Sequence, residues 1–437
     1  MKRDLYKKLL GWKRSQLRKP LVLRGARQVG KTYLLKEFGR NEFENTAYLN
    51  FEQEPGLADF FLGRIDPATI IEKLSLYLGI KISSDGTLLI LDEAQNCPEA
   101  LNSLKYFQEG MPSLHIVAAG SLLGLKVAKQ TAFPVGRVTF LELFPMSFGE
   151  FLEALGRDSL RQVLLQKSSF EPIEKVFHQD FLENLRLYYF VGGMPEAVAR
   201  FARDRDPKEV RAIQQDILTA HSHDFGKYTS KAEAVRLSQA WEAIPSQLAR
   251  ENKKFRYTEI SKNARARDYA DSLQWLADAG LIHKCFNIKT PRLPLSGYRE
   301  ESVFKVYLLD VGLLGAKLGL SERTVVEGNR LFIEYWGAFA ENYVAQELVA
   351  AGHRELSYWT SDYSAEVDFV LAWQERIFPL EVKAGSSAKK KSLLLYESKY
   401  SPPILSRATL MNFKRDGRIC NYPLYAVSSF PNLFLKS

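Results

Sequence analysis

Residues 21–32 read Leu-Val-Leu-Arg-Gly-Ala-Arg-Gln-Val-Gly-Lys-Thr, and this stretch decides the fold of the N-terminal part of the chain. Its apolar start, Leu21–Leu23, is typical of a buried parallel strand, and residues 33–38 continue as a helix. Residues 25–32 between them fit the pattern G-x-x-x-x-G-K-S/T without a mismatch. A strand, a glycine-rich loop and a helix in this order indicate a phosphate-binding loop in an α/β fold.

Each part of this loop has a chemical task. Its glycines let successive backbone N–H groups turn towards phosphate oxygens, and the positive end of the following helix faces the same way. We expect Lys31 to neutralise charge on the β- and γ-phosphates and Thr32 to bind Mg²⁺ through its hydroxyl. The predicted nucleotide-binding residues of the loop are Gly25, Ala26, Arg27, Gln28, Val29, Gly30, Lys31, Thr32 and Tyr33.

A second predicted strand ends in two carboxylates. Residues 87–91 are apolar apart from the first threonine and lead into Asp92 and Glu93. Such a run belongs in the middle of a parallel sheet, and ligands bind at the carboxyl ends of parallel strands. We expect Asp92 to hold Mg²⁺ through water and Glu93 to polarise the attacking water. Because both follow a phosphate-binding loop, we favour these roles over a simple helix N-cap.

Two further polar residues are candidates with open alternatives. Ser121 follows the apolar strand 115–119, where it would sense the γ-phosphate or orient water, or else form only a turn. Arg137 lies in a loop before the stretch 138–141. It would supply positive charge to the γ-phosphate, in cis or from a neighbouring subunit, unless it is an ordinary surface arginine.

Length, charge and cysteine content limit the class of protein. The chain has 437 residues and a net charge of +9, which predicts two or three domains and is compatible with a polyanionic partner. Cys97, Cys285 and Cys420 have no metal-ligand spacing and fit a reducing compartment. The basic N-terminus lacks the apolar stretch of a signal peptide, and no later window reaches the length of a membrane span. We therefore expect a cytoplasmic protein without a membrane partner.

Six motifs in this order resemble one known family, the prokaryotic AAA-type ATPases related to the archaeal ATPases. The resemblance continues into a C-terminal region of the type called DUF4143, so it covers nearly the whole chain. It implies ATP and Mg²⁺ as ligands, Walker A at residues 25–32, Walker B at Asp92 and Glu93, and the sensor-1 position at Ser121. Many AAA proteins assemble into rings, so a homo-oligomer is an expectation. The motifs are GARQVGKT, LLILDEAQ, AAGSLLG, PVGRV, FPMSFGEFL and YYFVGGMPEAV.

Residues 144–216 have a helical pattern, broken at Gly192, Gly193 and Pro195, and are expected to form a lid over the nucleotide.

Residues 236–290 then show three helical patterns, with strand-like stretches at 281–282 and 304–307. This order predicts a winged helix-turn-helix, used either for DNA contact or for packing within the protein. His221 and His223 have no evident third metal ligand. The basic residues placed for DNA contact are Arg265 and Arg267, preceded by Lys253, Lys254 and Arg256.

The C-terminal part carries three carboxylates and a lysine in a suggestive pattern. Glu341 lies on an apolar helix, Asp368 on a strand, and Glu381 and Lys383 on the next strand, on one face. This region resembles the PD-(D/E)XK nuclease core. The resemblance implies that the three carboxylates bind Mg²⁺ or Mn²⁺ and that Lys383 activates water for phosphodiester attack. The alternative is a scaffold that has lost catalysis, and the run 388–391 is either a phosphate contact or a solvated loop.

The sequence thus predicts an α/β protein with a P-loop parallel sheet and helical lid at 1–215, a winged helix at 216–325 and a restriction-endonuclease-like α/β domain at 326–437. The leading hypothesis is an ATPase whose nucleotide state is coupled to the winged-helix and nuclease-like parts, acting on DNA. The alternative is a nucleotide-gated switch whose C-terminal domain binds protein or DNA without cleaving it. The predicted catalytic residues are Lys31, Glu93, Arg137 and Lys383.

Overall fold

The structure is a computed structural model that describes residues 1–123, 135–250, 253–321, 323, 330–361, 365–383 and 391–436, with the backbone alone at 135 and 330–335. The chain divides into two compact units. The first comprises Met1–Phe144 with Asp278–Gly280, and the second Pro145–Ala277 with Leu281–Ser437. Both boundaries predicted from the sequence, at residues 215 and 325, lie inside the second unit, so they remain predictions about its subdivision.

The first unit is built on a five-stranded sheet in which every pairing is parallel. The strand order is β2-β3-β4-β1-β5. Strands β3 and β4 are buried along their whole length, as their unbroken apolar sequences predict for the middle of a parallel sheet. The strands are β1 Leu21–Arg24, β2 Asn45–Asn50, β3 Thr87–Asp92, β4 His115–Ala119 and β5 Thr139–Glu142.

Four helices lie in the described residues of the first unit, and local sequence signals mark where they begin. Helix α3 begins at Pro67 behind the N-cap Asp66, whose side chain accepts a hydrogen bond from the Thr69 backbone N–H. Helix α4 likewise has proline at its first position. Helix α2 follows Gly30, which has left-handed backbone geometry. The helices are α1 Leu5–Arg14, α2 Lys31–Glu42, α3 Pro67–Leu78 and α4 Pro98–Gly110.

The second unit begins with helices and continues as mixed α/β structure. None of the helices in the described ranges has both the length and the apolar character needed to cross a membrane. The helices are α5 Phe148–Ala154, α6 Asp158–Gln166, α7 Lys175–Val191, α8 Pro195–Asp204, α9 Pro207–Tyr228, α10 Lys231–Leu248, α11 Ala266–Asp278, α12 Val311–Lys317, α13 Arg330–Ala350, α14 Lys391–Tyr400 and α15 Asn432–Lys436.

Two sheets lie in the described residues of the second unit. One has the order β7-β6-β8-β9, with an antiparallel β6–β7 hairpin and β8 parallel to β6. The predicted wing strands therefore share a sheet with strands of the predicted C-terminal domain. The other sheet has the order β10-β11-β12-β14-β13. The strands are β6 Ile282–Ile288, β7 Arg299–Leu308, β8 Leu356–Thr360, β9 Glu366–Val367, β10 Phe369–Trp373, β11 Arg376–Val382, β12 Leu405–Thr409, β13 Lys414–Asp416 and β14 Ile419–Pro423.

A buried polar junction joins distant segments of the second unit. Asp310 is fully buried and accepts hydrogen bonds from the backbone N–H groups of Gly193, at 2.5 Å, and Leu313, at 2.9 Å. Gln346 on α13 donates to the Tyr188 hydroxyl of α7 at 2.8 Å. The Gly192–Gly193 break between α7 and α8 thus lies against the start of α12. Glycines allow this close approach because they have no side chain.

Candidate functional site

The predicted phosphate-binding loop connects β1 to α2 at the carboxyl edge of the first sheet. Gly25 has a φ of 149°, and a Cβ atom there would lie 2.2 Å from the Leu143 carbonyl oxygen. Gln28 and Gly30 also have positive φ, of 64° and 93°. Such conformations aim successive backbone N–H groups into one concave surface, which is the geometry that surrounds phosphate oxygens. The loop glycines are therefore required by backbone shape and by close packing.

Lys31 is 6% exposed and turns back over its own loop. Its ammonium donates to the carbonyl oxygens of Gly25, at 2.9 Å, and Ala26, at 2.8 Å. Burial lowers the pKa of Lys31 to about 8, although the neighbouring carboxylates Glu93 and Asp92 act in the opposite direction. A partly desolvated ammonium at the mouth of a loop lined by N–H groups is suited to binding a phosphate anion.

Thr32 and Asp92 meet directly, although β3 is distant from the loop in sequence. The Thr32 hydroxyl donates to Asp92 Oδ2 at 2.7 Å. The Tyr48 hydroxyl, from β2, donates to the same oxygen at 2.9 Å. Asp92 Oδ1 accepts from the Glu93 backbone N–H at 3.0 Å. A hydroxyl beside a carboxylate offers the hard oxygen donors that Mg²⁺ prefers, so these residues fit the predicted role.

Glu93 lies at the turn that follows β3 and has left-handed backbone geometry, with φ 49° and ψ 40°. This conformation is costly for a residue with a side chain and is found mainly where structure or function requires it. The Gln95 side-chain amide donates to Glu93 Oε2. Burial raises the pKa of Glu93, while the Gln95 amide lowers it. Gln95 thus orients the carboxylate that the sequence predicts as general base.

Ser121 lies just after β4, the strand that pairs directly with β1 of the loop, and is 9% exposed. The neighbouring Gly120 leaves no room for a side chain, since a Cβ there would lie 1.9 Å from Gln95 Oε1. The end of β4 is therefore packed against the turn that carries Glu93. Tyr33 on α2 is 56% exposed, which leaves its ring accessible beside the loop.

Arg137 lies at the opposite edge of the sheet from the phosphate-binding loop. It immediately precedes β5, which runs parallel to β1, and Thr139 pairs with Leu21 at the start of that strand. Its exposed guanidinium contacts Gln108 at 3.2 Å and Glu109 at 3.3 Å, at the end of α4. Parallel strands place the loop after the other end of β1. This position does not favour a role of Arg137 in cis, and its role in cis or in trans stays a prediction.

The predicted C-terminal carboxylates lie around lysines that the sequence analysis did not assign to this site. Lys305 of β7 is 1% exposed and forms ion pairs with Glu341 at 3.3 Å, Glu366 at 2.6 Å and Asp368 at 3.8 Å. Lys253 forms an ion pair with the second Glu341 oxygen at 2.5 Å. Burial opposes ionisation of Glu341, but the Lys253 and Lys305 ammoniums outweigh it and lower the pKa of Glu341 to about 2.

Asp368, Glu381 and Lys383 complete this region. Asp368 accepts from the Val382 backbone N–H at 2.8 Å, and burial together with Glu341 raises the pKa of Asp368 to about 7. Lys383 follows β11 and pairs with Glu381 at 2.9 Å. Within the described ranges, no group of three or more His, Cys, Asp or Glu side chains is placed to hold a metal ion. Ammonium groups pair with these carboxylates in the structure, and the metal site of Glu341, Asp368 and Glu381 stays a prediction.

The remaining predicted residues are dispersed. Lys253, expected beside DNA, is instead held by Glu341. The Arg267 side chain is 76% exposed. Among the ion pairs of the described residues, it pairs only with its neighbour Asp268, at 3.8 Å. His221 is buried in α9 against the Trp241 ring. Residues 388–390 of the predicted basic run lie outside the described residues.

Four residues of these sites were missed from the sequence. Tyr48, Gln95 and Lys305 act through contacts that depend on strand pairing or on a turn, which the sequence pattern does not specify. Arg3 is 8% exposed and donates to the carbonyl oxygens of Val29, at 2.8 Å, and Phe144, at 2.6 Å. One signal was available: Lys305 interrupts the apolar run 303–309, and a buried charge requires partners.

Several known proteins are similar to this chain. Two uncharacterized proteins, of Mycobacterium tuberculosis and Mycobacterium bovis, are each 24% identical over 386 residues, spanning 86% of this chain and 73% of the relative. Among solved structures, the Walker-type ATPase of Pyrococcus abyssi is 16% identical, with a TM-score of 0.46, over 72% of this chain and 95% of its own. The Orc1 protein of Aeropyrum pernix, solved in complex with DNA, is 13% identical with a TM-score of 0.26, over 78% and 92%.

Models of three domain families match successive parts of the chain. Residues 182–324 match a domain of unknown function, DUF8612, and this match crosses the predicted boundary at residue 215. Residues 17–152 match the AAA domain, and residues 336–427 match DUF4143, also a domain of unknown function. The chain is therefore similar to an AAA domain at residues 17–152 and to a DUF4143 domain at residues 336–427.

Proposed function

We propose that this chain binds ATP with Mg²⁺ and hydrolyses it to ADP and phosphate. The observation that carries the proposal is the 2.7 Å hydrogen bond between the Thr32 hydroxyl and Asp92 Oδ2. It joins the end of the phosphate-binding loop to the end of β3, which is the pair that would hold Mg²⁺. When bound there, Mg²⁺ would neutralise charge between the β- and γ-phosphates.

The chain's own residues would divide the chemistry between them. Backbone N–H groups of residues 25–30 bind the phosphates, and the Lys31 ammonium moves from its two loop carbonyls to the phosphate oxygens. Glu93 accepts the proton of the attacking water, held in orientation by the Gln95 amide. Ser121, just after β4, would sense the γ-phosphate, as the sensor-1 resemblance implies.

Steady-state phosphate release tests this proposal. We expect Lys31→Ala to lose ATP binding and turnover together, whereas Glu93→Gln keeps ATP binding and lowers kcat by about a hundredfold or more, because it removes a general base. Lys73→Ala and Glu72→Gln are matched controls, since both residues are exposed on α3 of the same unit. Equal turnover in the wild type, Lys31→Ala and Glu93→Gln would refute the proposal.

A second candidate concerns the C-terminal part. We infer that it binds a protein or DNA without cleaving it, so that ATP hydrolysis gates an interaction. The ion pairs of Lys253 and Lys305 favour this reading over a nuclease, because the carboxylates already have their positive partners. The element order α13-β8-β10-β11-α14-β12 supports the resemblance to the nuclease core as a fold, with its chemistry lost.

Nucleic-acid cleavage separates these readings. Plasmid DNA and single-stranded RNA are incubated with Mn²⁺ and the wild type, Asp368→Ala or Lys383→Ala. We expect intact substrates in every reaction, because ion pairs with Lys253 and Lys305 leave the carboxylates without free charge to bind Mn²⁺. Cleavage by the wild type that disappears in both variants would instead establish a nuclease.

The proposed binding partner of this part is either DNA or another protein. The order α10, α11 and the β6–β7 hairpin supports the winged-helix interpretation. If DNA binds there, replacing the exposed Arg267 by alanine weakens binding of duplex DNA and lowers its salt dependence by about one ion. Unchanged binding would favour packing or a protein partner.

The three free, buried cysteines fit the proposed cytoplasmic location.

A further inference from the structure

Tyr48 occupies an unusual place beside the candidate Mg²⁺ site. It lies on β2 next to β3, in the register that pairs Asn50 with Asp92. Its hydroxyl donates to Asp92 Oδ2 at 2.9 Å, and the same oxygen accepts from Thr32 at 2.7 Å. Both hydroxyls therefore converge on one carboxylate oxygen. Neither the motifs nor the family matches assign any role to residue 48.

The surroundings of Tyr48 fix the direction of its hydroxyl proton. The Asn50 side-chain amide donates to the Tyr48 oxygen at 3.1 Å, so the hydroxyl hydrogen is left to point at Asp92. The Lys36 ammonium lies 3.7 Å from the centroid of the ring and holds it from the other side.

We propose that Tyr48 is a positioning residue for Mg²⁺, acting by holding the Asp92 carboxylate in the orientation that the ion requires. This inference rests on the proposed function. The Thr32 hydroxyl, the other donor to Asp92 Oδ2, is itself a predicted ligand of the ion. When the Thr32 hydroxyl binds the ion, Tyr48 is then the side chain that keeps Asp92 Oδ2 in place. Loss of the Tyr48 hydroxyl should therefore weaken Mg²⁺ binding specifically.

Equilibrium nucleotide binding at varied Mg²⁺ tests this role without requiring turnover. A fluorescent, non-hydrolysable ATP analogue is titrated into wild type, Tyr48→Phe and Tyr6→Phe. Tyr6 is a matched control, because its hydroxyl also donates to a carboxylate at 2.9 Å, that of Glu42, in the same unit. Phenylalanine keeps the ring beside Lys36 and removes a single oxygen, so the fold is preserved.

We expect Tyr48→Phe to need about tenfold more Mg²⁺ for half-maximal binding, as for loss of one hydrogen bond to a charged group. Tyr6→Phe should match the wild type, and binding in excess EDTA should be the same in all three proteins. An unchanged Mg²⁺ requirement in Tyr48→Phe overturns the inference. So does a loss of binding that is equal with and without Mg²⁺, because that indicates a structural defect. A wild type that binds no nucleotide would overturn the proposed function itself, and the role of Tyr48 with it.

Discussion

Lys31 and Glu93 both have chemical properties set by burial rather than by residue type alone. Removal from water lowers the pKa of the Lys31 ammonium to about 8 and raises the pKa of the Glu93 carboxyl. Each change favours the neutral form, as desolvation does for any ionisable group. A base with a raised pKa is better matched to proton transfer near neutral pH. The same burial would therefore suit Glu93 to the proposed role of general base.

The Lys31 pKa predicts how ATP affinity depends on pH. The charged form, which binds phosphate, decreases as pH rises through about 8. One pH unit above this pKa only about a tenth of Lys31 remains charged, so ATP affinity should fall roughly tenfold between about pH 7 and pH 9. ATP binding should also take up a proton at the higher pH. Calorimetry in two buffers of different ionisation enthalpy measures both effects, and an affinity constant over this range would contradict the assignment.

Among single residues, the sequence predicted those site residues that are close together in the chain. The loop from Gly25 to Thr32 is continuous in sequence, and its shape follows from its glycines. Tyr48 was not predictable, because its contact with Asp92 depends on the register between β2 and β3. The role of Lys305 was hidden for a similar reason: β7, α13 and β9 must be placed in three dimensions before a lone lysine acquires three carboxylate partners.

Among the elements, the α7–α8 break carries a specific packing role. Gly192 has a φ of 72°, and a Cβ atom there would lie 2.2 Å from the buried Asp310 Oδ1. Gly319 also has a positive φ, of 64°, but nothing lies within 4 Å of its Cβ position. Gly192 therefore combines backbone strain with a steric conflict, whereas Gly319 has backbone strain alone.

Alanine substitution distinguishes these two effects. Gly192→Ala should lower the free energy of unfolding by about 3 kcal/mol or more, because it adds a clash to backbone strain. Gly319→Ala should cost only about 1 kcal/mol. Urea unfolding followed by tryptophan fluorescence reports on the second unit, which holds Trp241, Trp275, Trp336, Trp359 and Trp373. Equal losses in the two variants would show that the contact with Asp310 is unimportant.

Strands were easier to locate than their interruptions. The apolar runs predicted β1, β3 and β4 because a strand buried on both faces needs no polar residues. The predicted strand 366–371 is divided at Asp368, whose carboxylate accepts from the Val382 N–H of the neighbouring strand. Its pattern alone gives no sign of this break. Likewise, β8 joins the sheet of the β6–β7 hairpin, and sequence order could not reveal a shared sheet across the predicted boundary at 325.

For the whole molecule, a role of Arg137 in trans would require an assembly of subunits. If it serves the nucleotide of a neighbouring subunit, Arg137→Ala alone should lower turnover by about a hundredfold or more. A mixture of Arg137→Ala and Lys31→Ala subunits should then regain activity, since some interfaces pair an intact loop with an intact Arg137. Arg64→Ala is the control for an exposed arginine of the same unit and should retain normal turnover. A mixture no more active than its separate components would exclude the role in trans.

The central proposal is that the loop at residues 25–32 holds ATP and that Glu93 acts as general base for its hydrolysis there. The most direct test is to mix each protein with radiolabelled ATP and Mg²⁺, remove free nucleotide by gel filtration, and identify what remains bound. We predict that Glu93→Gln retains intact ATP, that the wild type retains ADP or nothing, and that Lys31→Ala retains neither. Conversion of ATP by Glu93→Gln at the wild-type rate, or retention of ATP by Lys31→Ala, would contradict the claim.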